Sequence, residues 1–228
     1  MTWYFDFFNR FRSPPDIVRQ HQSEFLKYFT GCNNVLSIGC GRGEFLEALD
    51  EQGIGCTGID IDDKMVAYSR DKGLNVYRAD AVSYLQGLDN DSLDGIFIDD
   101  LIEHLDTSYL IRMLKLCCAK IRDEKYMVTI TINPLTWTAY ADAYLLDVTH
   151  KRPVHPKTLR YFLGCSGFKD IKLEFFTYLP QGRKLRKIEI TPDMSDRESE
   201  IARICNDNAD MLNESVFGPE NYVAIAKK

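Results

Sequence analysis

Short apolar runs alternate with amphipathic segments over the first 135 residues of the chain. Five runs have the length and composition of buried strands, at residues 35–38, 56–61, 75–79, 93–99 and 126–132. Between them, apolar residues recur at helical spacing over residues 44–50, 62–70, 81–86 and 107–121. Because strands and helices alternate, we expect a parallel sheet with helices on both faces.

The pattern at the two ends of the chain is less regular. The pair Pro14 and Pro15 predicts the start of an N-terminal helix, because proline suits the first helical turn. After Pro134 we predict helices over 137–146 and 157–165, strands over 171–176 and 222–226, and a helix over 196–213 within a polar stretch. We interpret the chain as one domain, 1–228, with an N-terminal segment 1–30 and an insert at about 180–218.

Length, charge and cysteine content restrict the class of protein. A chain of 228 residues suits one α/β domain. The net charge of −6 provides no general attraction for a phosphate backbone, so nucleic acid is a disfavoured partner. Seven cysteines without a C-x-x-C pair favour a reducing compartment over a disulfide framework. No apolar run is long enough for a transmembrane helix, and we therefore expect a cytoplasmic protein.

Aromatic residues crowd the N-terminus. Six lie within the first eleven positions, with two arginines among or just after them: Trp3, Tyr4, Phe5, Phe7, Phe8, Phe11, Arg10 and Arg12. The segment is interpreted first as one packed on the domain. A substrate lid and a membrane-surface contact remain as alternatives.

A glycine-rich turn follows the first predicted strand. Glycines at positions 39, 41 and 43 permit a tight turn, and the following helix start supplies free N–H groups to a ligand. A dinucleotide fingerprint needs a third small residue where Glu44 stands. The carboxylate of Glu44 would also repel a pyrophosphate, so the turn favours a ligand without phosphate.

The order of motifs after this turn resembles that of the class I S-adenosylmethionine (SAM) dependent methyltransferases of the type 11/12 group. Asp60 lies 21 residues past Gly39, the spacing of a ribose-binding carboxylate in nucleotide-binding Rossmann units. The resemblance implies a Rossmann-like three-layer sandwich, with a seven-stranded, mostly parallel sheet whose last strand is antiparallel. It also implies SAM as cofactor and S-adenosylhomocysteine as product. The residues it assigns to the cofactor are Gly39, Cys40, Gly41, Gly43, Asp60, Ile61, Asp80, Ala81 and Asp99. Where the family usually has an acidic residue, two positions before Gly39, this chain has Ser37.

Acidic residues and a histidine follow the fourth predicted strand. Asp100, Glu103 and His104 resemble, with one conservative change, the Glu-x-x-Glu-His pattern by which quinone-biosynthesis O-methyltransferases and small-RNA 2′-O-methyltransferases bind a divalent metal. The alternative is that this segment shapes the edge of the cofactor site or the substrate mouth. A divalent metal is thus possible, and we assign no metal ligand.

The segment after Pro134 contains the remaining candidates for chemistry. His104, His150 and His155 are candidate general bases, because neutral imidazole accepts a hydroxyl proton near pH 7. The histidine-proline turn here resembles that of methyltransferases of surface-glycan machinery. We expect methyl transfer to an oxygen of a small-molecule or glycan acceptor, such as a sugar hydroxyl or phosphate. A metal-assisted O-methyltransferase and a non-catalytic SAM-binding subunit are the alternatives.

Overall fold

The computed structural model describes residues 3–228 and contains one seven-stranded sheet in the order β3-β2-β1-β4-β5-β7-β6. Strands β1 to β5 pair in parallel, and β7 pairs antiparallel with both β5 and β6. This confirms the predicted fold class. The strands are β1 (Val35–Ile38), β2 (Cys56–Asp60), β3 (Val76–Arg78), β4 (Leu93–Asp99), β5 (Ile121–Ile132), β6 (Lys169–Tyr178) and β7 (Pro219–Lys227).

Helices cover both faces of this sheet. They are α1 (Tyr4–Phe11), α2 (Pro15–Ser23), α3 (Glu44–Glu51), α4 (Asp63–Asp71), α5 (Ala81–Gln86), α6 (Thr107–Lys120), α7 (Pro156–Cys165) and α8 (Asp196–Ser215). Leu36 packs with residues of α5, α6 and α7, whereas its neighbour Val35 packs with Phe45 of α3 and Phe29. Adjacent residues of β1 thus enter different cores, which explains why apolar residues occupy both of its faces.

Two predicted elements differ from those in the structure. Strand β5 begins at Ile121, immediately after α6, because Ile121 pairs with Leu93 before the register shifts. Residues 122–124 of this strand are exposed and polar, and so lack the pattern of a buried strand. The helix predicted over 137–146 forms, but its main part, Ala139–Tyr144, is a π-helix, a geometry often found at functional sites.

The insert contains an extended segment that runs beside α8. Asn206 exchanges two hydrogen bonds with the backbone of Ile188, and Asn213 does the same with Leu185. A capping box at Ser195 starts the helix. Among residues 3–228, no helix has the length and apolar character required to span a bilayer.

Candidate active site

A cavity lined by predicted residues lies where β1, β2 and β4 end, and has a volume of about 640 Å³. Parallel strands expose their carboxyl ends at one edge, where open α/β sheets bind ligands. This larger cavity is lined by all but one of the predicted cofactor residues, namely Gly39, Cys40, Gly41, Asp60, Ile61, Asp80, Ala81 and Asp99. Gly43 does not line it and instead precedes α3 with a φ of +83°.

Asp60 fixes the shape of the glycine loop, residues 39–43. Its carboxylate accepts hydrogen bonds from the backbone N–H of Gly41 at 3.0 Å and of Asp62 at 2.9 Å. Burial raises the pKa of Asp60, while these two bonds oppose the shift. Gly41 has a φ of +53°, a conformation that glycine adopts without a Cβ clash. The carboxylate thus holds the loop open towards the larger cavity.

Glu44 is buried, and Arg42 pairs with it. The guanidinium Nε of Arg42 lies 2.5 Å from Oε1 of Glu44, and the same side chain reaches Asn9 and the backbone of Ser13. Because Arg42 compensates the charge of Glu44, Glu44 would repel a pyrophosphate less strongly than the sequence alone indicates. The charge argument against a dinucleotide ligand is therefore weaker. The steric argument stands, because the third small residue of a dinucleotide fingerprint is absent.

Asp80 at the end of β3 already has two partners. One oxygen accepts from the backbone N–H of Ser83 and caps α5, and the other accepts from the hydroxyl of Tyr109 at 2.6 Å. The side chain nevertheless lines the larger cavity, as does Tyr109. The structure therefore places a fixed carboxylate and a phenol ring together at this position.

Asp99 and Asp100 are bridged by an arginine from the N-terminal segment. Arg12 donates to Asp99 at 2.7 Å and to Asp100, and Gln22 also donates to Asp99 at 2.7 Å. Burial, together with the charge of Asp100, raises the pKa of Asp99 to about 6 against the opposing effect of Arg12. The N-terminal segment is thus part of the cavity wall.

Helix α1 covers the larger cavity next to Asp99 and Asp100. Tyr4 and Phe8 line the larger cavity, and Phe8 lies beneath the guanidinium groups of Arg12 and Arg42 at 5.2 and 5.1 Å. The aromatic segment is therefore packed on the domain, and it also covers a cavity. Trp3, at the beginning of the described chain, stacks edge-on against Tyr4 and Phe7.

Glu103, His104 and His150 come together although they are distant in sequence. One potential ligand atom of each lies within 4.8 Å of the others, and the two imidazole centroids are 4.5 Å apart. We call these three residues the histidine cluster. Neither carboxylate oxygen of Glu103 has a hydrogen-bond partner, and burial, followed by the charge of Asp100, raises its pKa. A buried acceptor without a donor is unusual, and it favours a ligand or ion at this point.

The hydrogen bonds assign both imidazole tautomers. The single hydroxyl proton of Thr149 goes to Asp147 at 2.6 Å, so its oxygen must accept from Nδ1–H of His104 at 2.9 Å. Nδ1–H of His150 donates to the carbonyl of Tyr144 at 2.7 Å, at the end of the π-helix. In its neutral form, each ring therefore carries its lone pair on Nε2. Burial and the neighbouring His150 lower the pKa of His104, so its neutral form persists to lower pH than usual.

A second, smaller cavity of about 290 Å³ adjoins the larger one beneath α1. The residues that line both cavities are Tyr4, Phe8, Arg12, Gln22, Asp99, Asp100 and His104. His150 lines only the smaller one. The two spaces thus meet at the carboxylate pair and His104.

His155 occupies a different place from the other two histidines. It is the N-cap of α7, where its Nδ1 accepts from the backbone N–H of Lys157 at 3.1 Å, and it lines neither cavity. The structure therefore brings together two of the three candidate bases. Sequence reasoning did not identify Arg12, Gln22 or Tyr109 as site residues. The only signal for them was the position of Arg12 directly after the aromatic run.

Comparisons with known proteins relate this chain to methyltransferases. A family model described as a methyltransferase domain matches residues 36–125. A solved SAM-dependent methyltransferase from Archaeoglobus fulgidus has a TM-score of 0.92 and 41% identity, covering 99% of this chain and 100% of that one. The ubiquinone biosynthesis O-methyltransferase of Coxiella burnetii is 25% identical over 64% of this chain and 68% of its own length.

A more distant solved structure shares the fold alone. Phosphoethanolamine N-methyltransferase 2 from Haemonchus contortus, in complex with SAM, has a TM-score of 0.64 at 14% identity. That match covers 92% of this chain and 52% of the other.

Proposed function

The chain belongs to the SAM-dependent methyltransferases, and from that premise we propose that it transfers the methyl group of SAM to an oxygen of a small-molecule or glycan acceptor. The observation that supports oxygen is the histidine cluster, which places two imidazoles, each held through Nδ1, beside the second cavity. A hydroxyl nucleophile must lose a proton, and imidazole is suited to accept it.

The larger cavity fits the cofactor. Asp60 would accept from the ribose hydroxyls, with Ile61 beside it, since its carboxylate retains lone pairs beyond the two bonds it accepts. Asp80 and Ala81 would bound the adenine, and the glycine loop with Cys40 would follow the ribose and methionine portions. When bound, SAM supplies an electrophilic methyl group on a sulfonium.

Charged residues at the other end of the cavity suit the amino-acid part of SAM. Arg12 lies there and uses one N–H of each terminal nitrogen on Asp99 and Asp100, so its remaining N–H groups would pair with the α-carboxylate, while Asp99 would accept from the α-ammonium. Ser37 also lines this cavity but carries no charge. Asp99, at the end of β4, would thus provide the negative charge that Ser37 does not.

Alignment and proton removal are the contributions that this chain makes to transfer. The two neighbouring cavities would hold SAM and the methyl acceptor in line. The transfer then takes place within one complex and does not depend on a bimolecular encounter. His150 and His104 would accept the acceptor's proton at Nε2, and their Nδ1–H groups stay fixed by Tyr144 and Thr149. Because the rings are oriented in advance, little reorganisation accompanies the proton transfer.

The proposal is tested by binding and turnover in sequence. Calorimetry with S-adenosylhomocysteine measures cofactor binding first, and radiolabelled methyl transfer to a library of hydroxylated small molecules and oligosaccharides follows. We expect binding and an alkali-stable methyl ether. Methylation confined to amines would contradict the oxygen assignment, and tight binding without transfer to any acceptor would favour a non-catalytic subunit.

Metal assistance is the second candidate, and the unpartnered carboxylate of Glu103 favours it. Glu103 and the two Nε2 atoms would supply one oxygen and two nitrogens, a donor set that suits several divalent ions. The Nδ1–H bonds to Thr149 and Tyr144 resemble the outer contacts that orient metal-bound histidines. Of the sequence-predicted trio, Asp100 is instead held by Arg12.

We expect Mn²⁺ and Co²⁺ to bind at one site in calorimetry, and Glu103→Gln to weaken binding by at least about 10-fold. The neutral amide is a poorer ligand and leaves only two imidazoles. Glu124→Gln, an exposed site remote from the cluster, is the matched control. Equal affinity in Glu103→Gln and the parent protein would exclude this metal site.

A further inference from the structure

The charges around the smaller cavity are predominantly negative. Four carboxylates line it, those of Asp99, Asp100, Asp147 and Glu220, together with one guanidinium, that of Arg12. The guanidinium is paired with two of these carboxylates, its remaining N–H groups are those proposed for the cofactor's carboxylate, and the other ionisable groups of the lining are histidines and Tyr4. An anionic acceptor would therefore meet no available arginine or lysine in this cavity. It would also be repelled by its carboxylates.

Glu220 is the carboxylate that lacks a hydrogen-bond partner. Burial raises its pKa, and the charge of Arg183, which does not line the cavity, opposes that shift. Asp147 accepts from Tyr4 and Thr149, whereas no hydrogen bond or ion pair to the side chain of Glu220 occurs among residues 3–228. Its position at the start of β7 is fixed, because its backbone carbonyl accepts from Asn133 at 2.8 Å. Glu220 therefore keeps its acceptor capacity for a ligand.

Other polar atoms of this cavity also lack partners. Oε1 of Gln22 and Oδ1 of Asp100 are buried acceptors without a donor, and the hydroxyl of Thr177 is buried and unpaired. The two lone acceptors favour a ligand that donates hydrogen bonds, as a hydroxyl or ammonium group does and an ionised carboxylate does not, whereas the Thr177 hydroxyl can pair with a donor or an acceptor.

The remaining walls are aromatic or aliphatic. Phe7, Phe8 and Phe11 of α1 face Ile130 and Phe176 of the sheet. Aromatic faces attract cations, and Phe8 already lies beneath two guanidinium groups. The volume of about 290 Å³ lies at the lower limit for ligand pockets, which favours a compact molecule over a glycan chain.

From the lone carboxylate, the unpaired acceptors and the aromatic walls we infer that the methyl acceptor is a small cationic molecule. Its ammonium group lies beside an apolar body that bears the hydroxyl. Glu220 selects the positive charge of this molecule. The inference rests on the proposed function and narrows its acceptor class. It disfavours the sugar phosphate that was one expectation from the sequence.

Three phenols of matched size test the charge preference on protein saturated with S-adenosylhomocysteine: tyramine (cation), 4-ethylphenol (neutral) and 4-hydroxyphenylacetate (anion). Dissociation constants are measured by ligand-observed NMR. We expect tyramine to bind at least about 10-fold more tightly than the anion, with the neutral compound between them. In Glu220→Gln the ratio of the dissociation constant of the anion to that of tyramine should fall by at least about threefold. In the exposed control Glu214→Gln this ratio should not change.

The inference is overturned if the anion binds as tightly as tyramine, if tyramine shows no binding, or if Glu220→Gln retains the full ratio. Saturation with S-adenosylhomocysteine is verified on the same samples. A failure of charge selection is thereby separated from a failure of cofactor binding, which would instead contradict the proposed function.

Discussion

Asp60→Ala is expected to weaken S-adenosylhomocysteine binding by about 100-fold, the loss of two hydrogen bonds to a charged group at roughly 1.5 kcal/mol each. The variant removes the proposed ribose contacts. It also releases the N–H of Gly41, so the glycine loop loses the bond that holds its shape. Calorimetry at constant ionic strength measures the effect.

Two further variants identify the cause of this loss. Asp60→Asn retains one carbonyl oxygen and is expected to have an intermediate affinity. Asp71→Ala changes an exposed aspartate at the end of α4 and should leave the affinity unchanged. Affinity in Asp60→Ala within twofold of the parent protein would show that the ribose assignment is wrong.

His150→Gln is expected to reduce the rate of methyl transfer by about 100-fold or more, the usual contribution of a general base. Glutamine keeps a polar side chain of similar length but has no basic nitrogen. Because His150 lines only the smaller cavity, the affinity for S-adenosylhomocysteine should stay within twofold of the parent value. Single-turnover rates with saturating SAM separate the two quantities.

His155→Gln is the matched control for this substitution. Its imidazole caps α7, so we expect an unchanged rate and a loss of stability of about 1 kcal/mol in denaturant unfolding. Equal rate losses in the two variants would contradict the separation of roles that the structure indicates. A rate unchanged in His150→Gln would leave His104 as the base.

Elements with local signals could be predicted from the sequence. Strands β1 and β4 are mostly apolar because both of their faces are buried. The structure reproduces the first four predicted strands to within one residue at each end, although Tyr77 and Arg78 of β3 are exposed. The glycine loop and Asp60 are likewise encoded locally, by glycines with positive φ at one strand end and a carboxylate at the next. Their proximity follows from parallel pairing of β1 with β2.

The contacts that complete the site depend on tertiary structure and have no local signal. Arg12 meets Asp99 across 87 positions, and Thr149 meets His104 across 45. The periodic pattern of apolar residues in the sequence does not indicate such long-range pairs. The π-helix was missed for a similar reason, since its apolar spacing resembles that of an α-helix. His150 and the carbonyl of Tyr144 bond only after the chain has turned back.

The docking of α1 also bears on how the cofactor affinity should be understood. The helix has no fully buried residue, and Arg12 ties its C-terminal end to Asp99 and Asp100. If helix α1 must move before the cofactor can enter, the measured affinity for the cofactor is the intrinsic affinity reduced by the free-energy cost of ordering α1 around the ligand. Substitutions on the outer surface of α1 would then tune cofactor exchange without contacting the cofactor.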